Sequence, residues 1–155
     1  MAKGSNWVNT EIFPALMTRE RYDELLTLVE NANMNILRMW GGGFINHDCF
    51  YDMCDELGLI VWAEIPYITK HMTAGKENAL SQMKELITQC YHHPSIVCWG
   101  LSNEISAGSP VTEEVISDHR ELNDLCHRMD ATRPTVMAHA FMLEKDSELI
   151  PVSDI

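Results

Sequence analysis

The sequence predicts an α/β fold built on one parallel sheet. Two observations carry that expectation. Five short apolar runs, near Lys3, Ile36, Leu59, Ile96 and Val136, alternate with four stretches in which apolar residues recur at helical spacing. Several of these runs also pass directly into polar residues or glycine, and strands joined through helices pair in parallel by right-handed crossovers. With 155 residues, 46% of them hydrophobic, the chain has enough apolar material for one domain with a real core, spanning 1–155.

The opening AKGSNWVNTEIF reads as a short strand with a polar exit at Ser5 and Asn6. Thr18 is placed to cap the first helix, whose buried face is Tyr22, Leu25, Leu26 and Val29. Ile36–Trp40 is the second strand, and Gly41, Gly42 and Gly43 follow it directly. A glycine loop after a strand raises the question of phosphate binding, yet neither G-x-G-x-x-G nor Gly-Lys-Ser/Thr is present, so no nucleotide is expected. The second helix buries Phe50, Met53, Cys54 and Leu57 and stops at Gly58. Leu59–Ile65 is the third strand, with Glu64 at its outgoing end, and the third helix buries Ala79, Met83, Leu86, Ile87 and Cys90.

Pro94 then stops the helix, because a ring without an N–H cannot continue it, and Ile96–Leu101 is an apolar run suited to burial on both faces of a parallel sheet. Ser102, Asn103 and Glu104 follow at the carboxyl end, where parallel α/β folds bind ligands, so Glu104 is the first candidate for chemistry. After the small-residue loop SAGSP, a fourth helix starts near Thr112 and buries Val115, His119, Leu122, Cys126 and Met129. It stops before Pro134. Val136–Phe141 is the fifth strand, with His139 near its end as a hydrogen-bonded structural residue.

A net charge of −12 excludes a nucleic-acid partner, whose phosphates need a basic surface, and an anionic membrane surface. No apolar stretch approaches the roughly 20 residues that span a bilayer, and no signal region follows Met1, so the cytoplasm is the expected compartment. The cysteines at 49, 54, 90, 98 and 126 are odd in number and contain no C-x-x-C pair, so they read as core residues. The histidines show no H-x-x-x-H spacing. Neither a metal nor another cofactor is expected.

The run HPSIVCWGLSNE, from His93 to Glu104, resembles the signature of the family 2 glycoside hydrolases, the β-galactosidases, β-glucuronidases and β-mannosidases. The resemblance implies that Glu104 is the general acid/base and that Asn103 hydrogen-bonds the sugar's 2-hydroxyl. Arg-x-Trp-Gly-Gly-Gly, from Arg38 to Gly43, is similar to a β-mannosidase stretch in which the Arg and Trp shape the sugar pocket, which implies that role for Arg38 and Trp40. Arg38 has a second reading, as an ion pair in the barrel mouth, and Trp40 a second one as core. The stretch FYDMCDELGLIVWAEIPYI, from Phe50 to Ile68, is closer to the β-galactosidases. An acidic residue at position 64 is usual in the family, and the resemblance leaves Glu64 three readings: orienting Arg38, contacting sugar, or belonging to a buried acidic network. Some β-galactosidases bind magnesium on the loop that follows; Ile68 and Lys70 stand there in this chain.

The implied fold is a (β/α)8 TIM-barrel fragment of about five parallel strands and four helices, slightly more than half of a barrel that takes about 250 residues. It would be the N-terminal part of the catalytic domain, without the β-sandwich domains. The implied activity is that of a retaining β-glycosidase acting on β-galactosides or related β-glycosides. The nucleophile, a second Glu, lies on a strand farther along, so the chain alone is expected to be inactive. The first forty-odd residues resemble β-mannosidases and the rest β-galactosidases, which fits either an intermediate branch or a chain assembled from two relatives. The alternative to an enzyme is a non-catalytic or engineered half-barrel scaffold that self-associates, because its edge strands and the inner side chains Ile36, Val61 and Val97 would lack partners.

Overall fold

The computed structural model describes residues 1–9, 11–68, 70–71, 75–108, 110–139 and 148–155. Strands β1 (Gly4–Trp7), β2 (Ile36–Met39), β3 (Ile60–Glu64), β4 (Ile96–Asn103) and β5 (Thr135–Ala138) lie side by side in chain order, every pair parallel. They are joined by α1 (Arg19–Asn31), α2 (Asp48–Leu57), α3 (Lys76–Cys90) and α4 (Glu113–Met129). A helix between each pair of successive strands, with neighbours in sequence also neighbours in space, is the winding of a TIM barrel, and the sheet forms an arc of one.

Local chemistry sets the helix ends. The Thr18 and Thr112 hydroxyls accept the N–H groups of Arg21 and Val115, each at 3.3 Å, and so begin α1 and α4. Gly58 closes α2 in the left-handed conformation at φ 67°, where a side chain is disfavoured. Thr112→Ala is expected to lower stability by about 1 kcal/mol, and Thr112→Ser to restore most of it, as read by urea unfolding.

One face of the sheet is covered by the helices. Leu37, Met39, Val61, Ala63, Ile65, Ile96, Trp99 and Leu101 are buried there with the helix side chains. Trp7, Tyr22 and Tyr51 gather around Phe50, with ring centres 5.0 to 5.3 Å from it. Of the cysteines, 54, 90, 98 and 126 are buried, Cys49 is half-buried, and all five are free. No described helix is long and apolar enough to cross a membrane.

Four expectations change. Leu57, expected on the buried face of α2, is 38% exposed at the end of that helix. Ser5 and Asn6 are not an exit, since β1 runs through them to Trp7, whose ring fills the helix-side core. Val61 does not face inward with Ile36. The register pairs Ile36 with Ile60 and Leu37 with Val61, so alternation sends Val61 to the helices and leaves Ile36 on the open face. β4 continues past Leu101 to Asn103. The end expected for the fifth strand, at 140–141, lies outside the described residues, and His139 is half-buried just after β5.

Candidate active site

The carboxyl ends of β2, β3 and β4 converge on the open face. Arg38 of β2 meets Glu64 of β3 in a two-pronged pair: Nε donates to Oε2 at 3.0 Å, and Nη2 donates to Oε2 at 2.9 Å and Oε1 at 3.1 Å. The same Nη2 reaches Asn103 Oδ1 of β4 at 2.5 Å, and Nη1 reaches Asn6 Oδ1 of β1 at 3.4 Å. The guanidinium lies 4.5 Å over the Trp62 ring. Arg38 therefore ties four strands together through one ion pair and two side-chain amides.

Glu64 is fully enclosed, its side chain 0% exposed. Burial pushes its carboxyl above the usual range, opposed by Arg38 and by the Gly41 N–H, which donates to Oε1 at 2.9 Å. The space it occupies exists because residue 100 has no side chain. A Cβ on Gly100 would stand 2.6 Å from the Glu64 Cβ and 2.7 Å from Trp62 Nε1. The Trp40 ring, half-buried beyond β2, folds over Gly42, where any Cβ would collide with it. That ring is held by the same glycine loop whose Gly41 binds Glu64.

Asn103 faces Arg38 because of a one-residue slip in register. β4 pairs Gly100 with Val136 and then Ser102 with Met137, leaving Leu101 as the extra residue. Ser102 thereby turns to the helices and Asn103 to the open face. Glu104 follows in the left-handed conformation, φ 55° and ψ 36°, which costs a non-glycine residue about 1–2 kcal/mol. Its N–H is held by the Ala138 carbonyl at 2.7 Å, and the Asn103 N–H by the Tyr67 carbonyl at 2.9 Å. The Glu104 side chain is exposed, and its charge raises the proton affinity of Glu64.

The His-Pro-Ser start of the signature serves the opposite end of β4. His93 Nδ1 lies 2.6 Å from Asp55 Oδ2, and the Ser95 N–H donates to Asp55 Oδ1 at 2.8 Å. Burial pushes the Asp55 carboxyl up, but the bonds from Ser95 and His93 outweigh it and hold it below the ordinary range. This half of the motif fastens β4 to the end of α2, while the Asn-Glu half carries the candidate chemistry. Asp55, Trp62, Gly100 and Asn6 were not singled out from sequence as site residues. Only Trp62 carried a usable signal, since it stands two residues before Glu64 on a strand and must share its face.

Behind the bulged strand end lies His119 of α4, 1% exposed, with Nε2 3.0 Å from Ser102 Oγ and Nδ1 2.8 Å from the Val115 carbonyl. Burial lowers the affinity of this imidazole for a proton, so it stays neutral where an unfolded histidine, at an ordinary 6.5, takes one up. The unfolded state then binds more protons, and the resulting stability is present above about 6.5 and lost as pH falls below it. Urea midpoints between pH 7.5 and 5 are expected to fall in the parent and to flatten in His119→Gln. Glu64 acts with the opposite sign, its raised affinity removing stability as pH climbs from 4.5. Among the described residues no group of three or more His, Cys, Asp or Glu could hold a metal, and Ile68 instead bridges Asn103 through the backbone.

Comparison with known proteins bears on the fold. Residues 16–150 match the family model described as glycosyl hydrolases family 2, TIM barrel domain. A β-mannosidase from Capra hircus is 38% identical over 112 residues, covering 68% of this chain and 12% of that protein. The structure of a β-D-mannosidase from Dictyoglomus thermophilum superposes with TM-score 0.76 at 32% identity, covering 89% of this chain and 18% of that one. Bacteroides uniformis β-glucuronidase 2, covalently bound to cyclophellitol-6-carboxylate aziridine, superposes with TM-score 0.84 at 27% identity, covering 99% and 20%. The chain thus spans less than a quarter of the length of these relatives.

Proposed function

The chain belongs to glycoside hydrolase family 2, and on that premise we propose that it supplies the general acid/base, Glu104, of a retaining β-glycosidase. Asn103, Arg38 and Trp40 are its sugar-binding side chains, and the substrates are β-galactosides or related β-glycosides. The observation that carries the reading is the pairing of a strained, exposed Glu104 with an Asn103 whose amide is already oriented. Arg38 Nη2 occupies Asn103 Oδ1, so the amide Nδ2 is turned the other way, as a donor for a sugar hydroxyl oxygen. Glu64 fixes Arg38, and Arg38 fixes Asn103.

In the reaction, the protonated Glu104 gives its proton to the departing glycosidic oxygen while a second carboxylate attacks the anomeric carbon. Glu104 then takes a proton from the water that breaks the glycosyl-enzyme bond. Retaining enzymes hold the two carboxyl groups about 5–5.5 Å apart. Glu64 cannot be the attacking group, being enclosed and bound to Arg38 and Gly41. The nucleophile comes from a further strand of the completed barrel. Trp40, a flat ring on the glycine loop, suits stacking against the apolar face of a sugar.

Complementation with the remaining strands of a relative tests the proposal. The chain alone is expected to leave aryl β-mannoside, β-galactoside and β-glucuronide untouched, and the completed barrel to hydrolyse one of them. The β-mannoside belongs in that panel because the goat relative is a β-mannosidase. Hydrolysis that persists undiminished in Glu104→Gln would sink the assignment.

A second reading, self-association as a non-catalytic scaffold, is favoured by the open face, where Val97 is 40% exposed and Ile36, Ile60 and Trp62 are half-buried. Sedimentation at micromolar concentration separates the two: a dimer that dissociates when the missing strands are added supports exchange of one cover for another. Five free cysteines suit a reducing compartment such as the cytoplasm.

A further inference from the structure

We propose that His119 is a positioning residue for the acid/base pair, holding the bulged end of β4 from α4 and thereby setting Asn103 and Glu104. The inference rests on the role of Glu104 given above. A backbone carbonyl only accepts, so the Nδ1 that faces Val115 carries the hydrogen, and Nε2 is left to accept the Ser102 hydroxyl. Ser102 is fully buried and reaches His119 only because the slip after Gly100 turns it toward the helices. The other flank of the imidazole lies against Tyr67, ring centres 5.5 Å apart and 9° from parallel. Tyr67 is the residue whose carbonyl takes the Asn103 N–H, and its neighbour Ile68 bridges Asn103.

One buried ring thus grips both the strand end and the loop beside it, on either side of the residue that precedes Glu104. Packing alone would be met by a leucine at this position. A neutral imidazole adds a directed acceptor for Ser102, and with it a fixed rotation of the backbone leading into the left-handed turn at Glu104.

Amide hydrogen exchange on the full chain reads the grip directly. His119→Phe keeps a ring against Tyr67 and removes both hydrogen bonds. Exchange at Asn103 and Glu104 is expected to quicken about tenfold relative to Val61 and Trp99, whose amides bond the Ser95 and Pro134 carbonyls. His119→Gln, able to accept from Ser102 again, is expected to recover most of the protection. Should His119→Phe fail to fold, Ser102→Ala removes the same bond with a smaller excision and carries the same readout. Equal quickening at all four amides would reduce His119 to packing, and unchanged exchange at Asn103 and Glu104 would overturn the proposal. In the completed barrel, His119→Phe is expected to lower kcat about tenfold with KM unchanged for leaving groups that need a proton. An inactive parent barrel would count against the role of Glu104, while the exchange result would still decide the grip.

Discussion

Glu104→Gln in the completed barrel is expected to slow cleavage of a methyl or alkyl glycoside by about 10²–10⁴-fold, the usual contribution of a placed proton donor. The amide has nearly the shape of the carboxyl and leaves the strand end undisturbed, so the loss reports chemistry rather than folding. Its size should depend on the leaving group. An alkoxide departs only when protonated, whereas 2,4-dinitrophenolate departs as a stable anion and needs no acid. Glycosyl transfer from the dinitrophenyl glycoside should therefore be nearly unchanged, with the slow step moving to hydrolysis of the glycosyl-enzyme, where Glu104 would have activated water. Equal losses for both leaving groups would show that Glu104 positions substrate and does not transfer a proton. Asn103→Ala should behave differently, weakening both steps alike, because the sugar hydroxyl proposed as its partner is present throughout.

Arg38→Met is expected to destabilise the chain by about 3–5 kcal/mol, the cost of leaving an enclosed carboxylate without its partner. An ordinary domain has only about 5–15 kcal/mol in total, so the variant should stand close to unfolding at neutral pH. The cause can be isolated in two ways. Glu64→Leu combined with Arg38→Met removes the uncompensated charge and should recover most of the loss. The deficit should also shrink as pH falls toward 4.5, the ordinary value for a glutamate, because without Arg38 burial acts on Glu64 unopposed except by Gly41, and the carboxyl protonates early. Urea unfolding of the single and double variants at pH 7 and pH 5 checks both. A deficit that is independent of pH and persists in the double variant would place the effect in lost packing against Trp62.

Sequence by itself determined the winding. The alternation of apolar runs with helical stretches fixes five parallel strands, Thr18, Thr112 and Gly58 fix helix ends through hydrogen bonds to near neighbours, and Arg38, Glu64 and Asn103 come to one edge because each stands at or one residue before the carboxyl end of a strand running the same way. Those outcomes depend on interactions within a few residues, or on the handedness of the crossover. What tertiary structure alone decided is which face each residue takes. A period of two says that Ile36 and Arg38 share a side but not which side Val61 takes, since that depends on pairing with a strand some 25 residues away. The same limit hid the partnership of Asp55 with His93 and Ser95, across about 40 residues.

The sharpest case is the end of β4. Strict alternation from Gly100, on the open face, would put Ser102 toward Arg38 and turn Asn103 into the helices. The extra residue Leu101, visible only once β5 is laid alongside, exchanges the two. Asn103 then meets Arg38, Ser102 meets His119, and the backbone leaves the strand through a left-handed Glu104. The motif named the residues; the slip in register, set by neighbours far away in sequence, aimed them.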